Sequence, residues 1–413
     1  MKIFVSICFD LQGKWCKLLK KDFYMKRTVR DLKNIKGKRI LVRCDFNVPL
    51  DNYGDILDDS RIVATLPTLT HLSKHGAKLI VCSHLGRPNG YDKYLSLFPV
   101  AVYLMKCFPN KVKFCGKVVG PEVEDAVAKL KDGEILVLEN LRFHPGEEEN
   151  SADFAQKLAS LAELYVDDAF GVAHRKHASN YGVALKLPSA IGYCIEKELQ
   201  VFGQAFEKPQ RPFVAIFGGA KVSDKLKLIN NVIDKADSII IGGGMAYTFL
   251  QAKGYNIGDS IVDLDLVDDA RDLMQVAEEK GVKILLPIDH MALIAEKDKA
   301  VKTEILERGM VGFDIGPKTI KMFAAEIANA KQILWNGPVG KVEDDRFKKG
   351  TTKIAKAVAK SQAYSVVGGG DSLSAINQVG VSDKINHLST GGGASLKLME
   401  GKVLAAIDVI DSI

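Results

Sequence analysis

The sequence lacks most of the features that would place it in a class at once. Its seven cysteines (8, 16, 44, 82, 107, 115 and 194) are odd in number and contain no Cys-x-x-Cys pair. A disulfide framework or a zinc site would need closer and more regular spacing. Cys82 ends the apolar run Lys78-Leu-Ile-Val-Cys82, where a buried thiol is the simplest reading, and reduced cysteines suit the cytoplasm. No apolar run approaches the ~20 residues that cross a bilayer, which disfavours an integral membrane protein. An excess of one charge is missing as well: 57 Lys and Arg face 51 Asp and Glu, a net charge of +6. Over this length that is too mild to point to nucleic acid. There is no solenoid repeat, no low-complexity tract and no G-x-x-x-x-G-K-[ST] loop. Gly242-Gly-Gly-Met-Ala-Tyr247 fails to complete G-x-G-x-x-G, which disfavours a nicotinamide enzyme.

What is present is an ordinary globular composition, 413 residues of which 47% are apolar, enough for two or three domains. Residues 1–24 stand apart: one short apolar stretch, five lysines and no arginine. They fit neither a secretory signal nor a transit peptide. They read as an N-terminal extension of unknown role, with Met25 as the natural start. From Lys38 onward short apolar runs recur, at Ile40–Val42, Lys78–Cys82, Ile135–Leu138 and Leu164–Val166. A second series follows at Phe213–Phe217, Ser238–Ile241, Lys283–Leu286, Gln332–Trp335 and Tyr364–Val367. Helical periods lie between them; Ala155, Leu158, Ala159 and Ala162 follow Ser151, for example. Strands alternating with helices predict an α/β fold with parallel sheets covered on both faces. Two such series predict two domains, at 25–194 and 213–400. Ile195, Leu199, Phe202 and Phe206 recur at helical spacing before Pro209 and Pro212, which predicts a joining hinge helix within 195–212.

The two halves carry different chemistry. The second half holds three Gly-Gly-Gly triplets, at 242–244, 368–370 and 391–393, and a Gly-Gly pair at 218–219. Glycine after a parallel strand lets the backbone approach a ligand, and the helix that follows offers free N–H groups to phosphate. Such turns also need glycine for purely conformational reasons. Several at one edge of one sheet favour a nucleotide phosphate site. The first half instead carries Arg/His clusters after predicted strands: Ser83-His-Leu-Gly-Arg-Pro88, Glu139-Asn-Leu-Arg-Phe-His144 and Ala169–His177. Arginine forks match phosphate and carboxylate, so this half is expected to hold a small anionic substrate.

The same segments, with Arg43-Cys-Asp-Phe-Asn-Val-Pro-Leu50, resemble phosphoglycerate kinase. So do Gly218-Gly-Ala-Lys-Val-Ser-Asp-Lys225, Asp314-Ile-Gly-Pro-Lys-Thr319, Trp335-Asn-Gly-Pro338, Gly368-Gly-Gly-Asp-Ser372 and Ser389-Thr-Gly-Gly-Gly-Ala-Ser395. They stand in the family's order from about Met25 to the C-terminus. The resemblance implies two Rossmann-like domains that close about a hinge, with a tail at 401–413 returning to the first domain. It implies reversible phosphoryl transfer from 1,3-bisphosphoglycerate to MgADP, giving 3-phosphoglycerate and ATP, by a cytoplasmic monomer with no nucleic-acid or membrane partner.

It also implies roles for particular residues. Asp45, Phe46 and Asn47 would bind the glycerate part of the substrate; an Asx turn is the alternative reading of Asp45 and Asn47. His84, Leu85, Gly86, Arg87, Arg142 and Arg175 would form the substrate's phosphate patch, with His174 and His177 as neighbours. Arg61 and Lys221 would be catalytic, because fixed cations stabilise the charge spread over a phosphoryl group in flight. Read without the family, Arg61 is a solvated residue in a helix's first turn. Lys225 is expected on the same helical face as Lys221, touching the nucleotide phosphates. Asn336, Gly369, Gly370 and Ser372 would lie along those phosphates, and Glu343 would take the ribose hydroxyls. Asp371 would ligate Mg²⁺; as a bare sequence feature it reads as a helix N-cap. The segment Glu343-Asp-Asp-Arg-Phe347 is more charged than the family's usual pattern. Two rival readings are weaker. A dehydrogenase lacks its fingerprint, and a non-catalytic anion-binding protein would be favoured by loss of Arg61, Lys221 or Asp371, all of which are present.

Overall fold

A computed structural model describes residues 26–223 and 225–413; the expectation for residues 1–24 lies outside them. The chain divides into two compact units. One comprises the described residues up to Gln200 together with Val403–Ile413, the other Val201–Lys402. The predicted joining helix is Tyr193–Glu207.

In the first unit β1 (Arg39–Arg43), β2 (Lys78–Cys82), β3 (Val112–Cys115), β4 (Ile135–Leu138), β5 (Leu164–Asp167) and β6 (Ser189–Ile191) form one sheet in the order β3-β4-β2-β1-β5-β6. Every pairing is parallel. The central strands are apolar along their length because helices cover both faces, and Ile40, Leu41, Val42, Leu79, Ile80 and Val81 are fully buried. The four runs predicted here became β1, β2, β4 and β5. The edge strands were not predicted. β3 is only partly buried and reads Val-Lys-Phe-Cys, and β6 has three residues; neither gives a continuous apolar signal. The helix Ala152–Ser160 is capped by Ser151, whose side chain accepts from the Phe154 N–H; Ala162 falls beyond its end. The C-terminal residues pack on this unit. Ala406 N donates to the Ala173 carbonyl at 3.0 Å, and Asp411 accepts from Arg27 Nη1 and Ser189 N, both at 3.0 Å.

The second unit repeats the plan with β7 (Phe213–Phe217), β8 (Ser238–Ile241), β9 (Lys283–Leu285), β13 (Gln332–Asn336), β14 (Tyr364–Gly368) and β15 (His387–Ser389), in the order β15-β14-β13-β7-β8-β9. Between β9 and β13 the chain adds β10 (His290–Ile294), β11 (Lys299–Thr303) and β12 (Met310–Ile315), a separate antiparallel sheet. That sheet was not anticipated, since lysines interrupt β11 and its burial is partial. In both large sheets the chain winds outward from one strand and then resumes on that strand's other side. The two strand orders therefore have switch points, between β1 and β5 and between β7 and β13, where open α/β sheets place ligands.

Candidate active site

Both sets of expected residues lie past the carboxyl ends of strands, on either side of these switch points. In the first unit Asp45 and Asn47 follow β1, His84 to Arg87 follow β2, Arg142 follows β4 and Arg175 follows β5, four strands adjacent in the sheet. Asn47 Oδ1 accepts from Gly86 N at 2.8 Å, which ties the β1 and β2 loops together. The Asx turn is present too, with Asn47 N donating to Asp45 Oδ1 at 3.3 Å. Phe46 is fully buried, and its N–H donates to Ser83 Oγ at 2.9 Å. Gly86 has φ +64°, and a Cβ there would lie 2.7 Å from Leu95 Cδ2, so the turn needs glycine. Leu85 is held through Asn140, whose amide accepts from Leu85 N at 3.2 Å and donates to the Leu85 carbonyl at 2.7 Å.

Arg61 lies in the first turn of the helix Ser60–Lys74, and its Nη1 meets Asp45 Oδ2 at 2.7 Å. Burial pushes the Asp45 carboxyl up, but the surrounding cations, Arg61 foremost, outweigh it and hold it below its usual range. Arg142 is mostly buried: Nη1 donates to the Gly86 carbonyl, Nη2 meets Glu148 at 2.9 Å, and Nε has no partner among the described residues. Arg175 Nη1 is 3.9 Å from the same Glu148, and its Nε donates to His174 Nε2 at 3.3 Å. Arg87 is exposed. Glu148 thus links two arginines of the expected patch.

His84 is not one of the patch's cations. Burial, then Arg43, drives its imidazolium form well out of the neutral range, and the same influences lower His177 to about 3. Each is a neutral hydrogen-bonding group. Arg43, Glu147 and Ser179 were given no role from the sequence. Arg43 and Glu147 are fully buried with side chains 3.9 Å apart, and Ser179 bonds both, at 2.8 Å to Arg43 Nε and 2.6 Å to Glu147. The available signal was a charged residue ending an apolar strand, where a partner is required.

The second unit is built from backbone. A Cβ on Gly218 would lie 2.0 Å from the Pro338 carbonyl oxygen, and one on Gly337 would lie 2.2 Å from the Gly218 oxygen. The loops after β7 and β13 therefore touch main chain to main chain. These glycines are demanded by packing, whereas Gly219 and Gly370 have nothing within 4 Å of an added Cβ. Asn336 ends β13, accepts from Lys225 Nζ and donates to the Gly368 carbonyl at 2.8 Å. Ser372 is buried and accepts from Gly337 N at 2.7 Å. The helix Gly370–Val379 begins after Gly369 (φ +99°) without a side-chain cap. Asp371 is therefore not the N-cap but an exposed residue inside the first turn, and the helix start keeps N–H donors for an anion.

Lys221 and Lys225 do not share a helical face. The helix begins at Leu226, and Lys221 is exposed in a turn held by Asp263, which accepts from Val222 N at 2.9 Å. Glu343 is exposed in the loop between β13 and the helix Lys349–Lys360. Beneath that loop Asp314, buried and raised to about 7 chiefly by burial, accepts from Gly350 N at 2.7 Å. Arg346 pins the loop by a two-pronged contact with Asp344 and a 2.8 Å bond to Asp298.

Two parallel α/β units, one presenting arginines and the other glycine loops at sheet switch points, define a phosphate-handling enzyme. A family model described as phosphoglycerate kinase matches residues 29–402. Curated relatives of that name are 50% identical over 395 residues in Clostridium botulinum (strain Alaska E43 / Type E3) and 48% over 396 in Clostridium tetani. Each match covers 94% of this chain, with 99% and 98% of the relative. Among solved structures, phosphoglycerate kinase from Coxiella burnetii superposes with a TM-score of 0.83 at 40% identity, and that from Pyrococcus horikoshii OT3 with 0.80 at 31%. Both cover 93% of this chain and 98% of theirs. The chain belongs to the phosphoglycerate kinase family: it is a phosphotransferase with a carboxyl group as acceptor.

Proposed function

We propose that the chain interconverts 1,3-bisphosphoglycerate plus ADP with 3-phosphoglycerate plus ATP, with the phosphoglycerate on the first unit and the nucleotide on the second. The observation that carries this reading is the division of the site: cationic side chains past β1, β2, β4 and β5, against close-packed glycine loops past β7 and β13 and an uncapped helix start past β14. Arg87, Arg142 and Arg175 take the substrate's phosphate, with His84 as a neutral donor beside them. Asp45 and Asn47 take the hydroxyl of its glycerate part, and Asp45 also orients Arg61. On the other side the helix start at Gly370, with Lys225, Asn336 and Ser372, holds the nucleotide phosphates, and Glu343 holds the ribose.

The transfer requires the two sets to meet during turnover. A substrate carboxylate oxygen attacks the γ-phosphorus of ATP as the bond to the β-phosphate oxygen breaks; the reverse reaction retraces this path. Both attacking groups are already anionic, so no general base is needed. Arg61 and Lys221 stabilise the charge that develops on the phosphoryl oxygens. No cluster of three or more metal-binding side chains exists among the described residues. One exposed carboxylate, Asp371, suits Mg²⁺, which takes most of its ligands from nucleotide oxygens and water. When bound, the ion neutralises charge on the β- and γ-phosphates. Both sets lie on one chain, so the reading needs no second copy and takes the enzyme as a cytoplasmic monomer. A coupled assay of ATP-dependent phosphorylation of 3-phosphoglycerate tests it: turnover that requires Mg²⁺ is expected, and folded protein without turnover contradicts it.

A further inference from the structure

We propose that Arg43 is a positioning residue for the substrate site: it fixes His84 as the Nε2–H tautomer, so that the ring offers one neutral hydrogen-bond donor to an anionic oxygen. The proposal rests on the reading of the first unit as the phosphoglycerate side.

A guanidinium has donors only. Arg43 Nη2 lies 3.2 Å from His84 Nδ1, so Nδ1 must present its lone pair and the ring proton must sit on Nε2. Arg43 cannot turn away. Its Nε donates to Ser179 Oγ at 2.8 Å, its Nη1 donates to the Cys44 carbonyl, and Glu147 lies 3.9 Å from Nη2. Glu147 is fixed in turn, accepting from Ser179 Oγ at 2.6 Å and Ser179 N at 3.0 Å. Arg43, Glu147 and Ser179 are all fully buried. His84 itself is 3% exposed, and its Nε2 has no protein partner among the described residues. The other charges acting on the ring are Asp45, Arg142 and Arg61, all belonging to the substrate set. Those arginines already supply positive charge. What the buried Arg43–Glu147–Ser179 group adds is direction, a donor whose proton is placed before the substrate arrives.

Two-bond proton–nitrogen spectra of the full-length protein labelled in histidine report the tautomer directly. His84 is assigned among the eight histidines by its loss in His84→Gln. In the wild type a single Nε2–H tautomer is expected across neutral pH. The double variant Arg43→Gln/Glu147→Gln removes both buried charges together, so that neither is left unpaired. It should give mixed tautomers and weaken 3-phosphoglycerate binding by roughly three- to tenfold, the range of one neutral hydrogen bond, with ADP binding unchanged. Arg43→Lys, still a donor with no lone pair, should keep the wild-type tautomer. In the His84→Gln background the double charge removal should change 3-phosphoglycerate affinity much less. A protonated Nδ1 in the wild type, or a tautomer unmoved in the double variant, overturns the proposal. So does a tautomer that shifts while affinity stays put. Failure of 3-phosphoglycerate to bind the wild type overturns instead the reading of this unit.

Discussion

The two units share a fold plan, and on the proposed reading they hold phosphate past a parallel sheet with different materials. The first uses long cationic side chains fixed by carboxylates, buried at Asp45 and Glu147 and exposed at Glu148: Arg61 on Asp45, Arg142 and Arg175 around Glu148, Arg43 on Glu147. The second uses main chain, with loops pressed together through Gly218 and Gly337 and a helix start left uncapped at Gly369. The phosphate of a small substrate that must be told from its neighbours suits bidentate guanidinium forks. A nucleotide's phosphates, close to a metal ion, suit N–H donors that approach without bulk.

The largest effects should come from the pair that bridges this contrast. Arg61→Ala and Lys221→Ala should each lower kcat by about 10²–10³, as loss of one transition-state donor does, with circular dichroism unchanged. Near-normal turnover in either variant would remove it from the mechanism.

Glycines sharpen the comparison next. Gly218→Ala should lose about 1–3 kcal/mol of stability in thermal denaturation, because the nearest atoms to its Cβ are backbone of Pro338 and Gly337. Gly370→Ala has open space and a helical position. It should be neutral or gain up to ~1 kcal/mol while raising KM for the nucleotide. If the two behave alike, packing and ligand roles have been wrongly separated.

Each unit also buries a carboxylate whose acid form is favoured. Asp168 is raised to about 7 by burial while accepting from Cys194 N and Ile195 N, and Asp314 is raised to about 7 for the same reason. A raised acid binds more protons folded than unfolded. Its contribution is therefore full below about pH 4 and falls as pH rises towards about 7. Asp168→Asn and Asp314→Asn should each flatten the decline of stability over that window, by at most about 1.4 kcal/mol per pH unit; denaturant titrations at several pH values check this. The smallest effect belongs to Arg346→Ala. Its partners Asp344 and Asp298 are surface carboxylates, so it should cost no more than about 1 kcal/mol and diminish with salt.

Much of this organisation was legible in the amino-acid sequence, for physical reasons. Buried parallel strands are apolar throughout, so nine runs stood out, while β3, β6 and β15 are short edge strands with little to bury. The antiparallel sheet of β10 to β12 is partly exposed and carries lysines, which hid it. Within the site, the clusters after strands were readable because sheet geometry concentrates ligand chemistry there. Finer relations were not. Helical spacing suggested that Lys221 and Lys225 share a face, but the helix starts only at Leu226. Asp371 reads as a cap, yet Gly369 takes that place with φ +99°. The role of Arg43 is invisible in the sequence because its partners Glu147 and Ser179 are distant along the chain, and only the folded sheet brings them to it.

The division of labour is tested most directly by calorimetric titration of Arg142→Ala and Lys225→Ala with 3-phosphoglycerate and with ADP. Arg142→Ala should lose 3-phosphoglycerate affinity and keep that for ADP, and Lys225→Ala should do the reverse. Loss of both ligands in either variant, or of the opposite ligand, would contradict a substrate unit and a nucleotide unit.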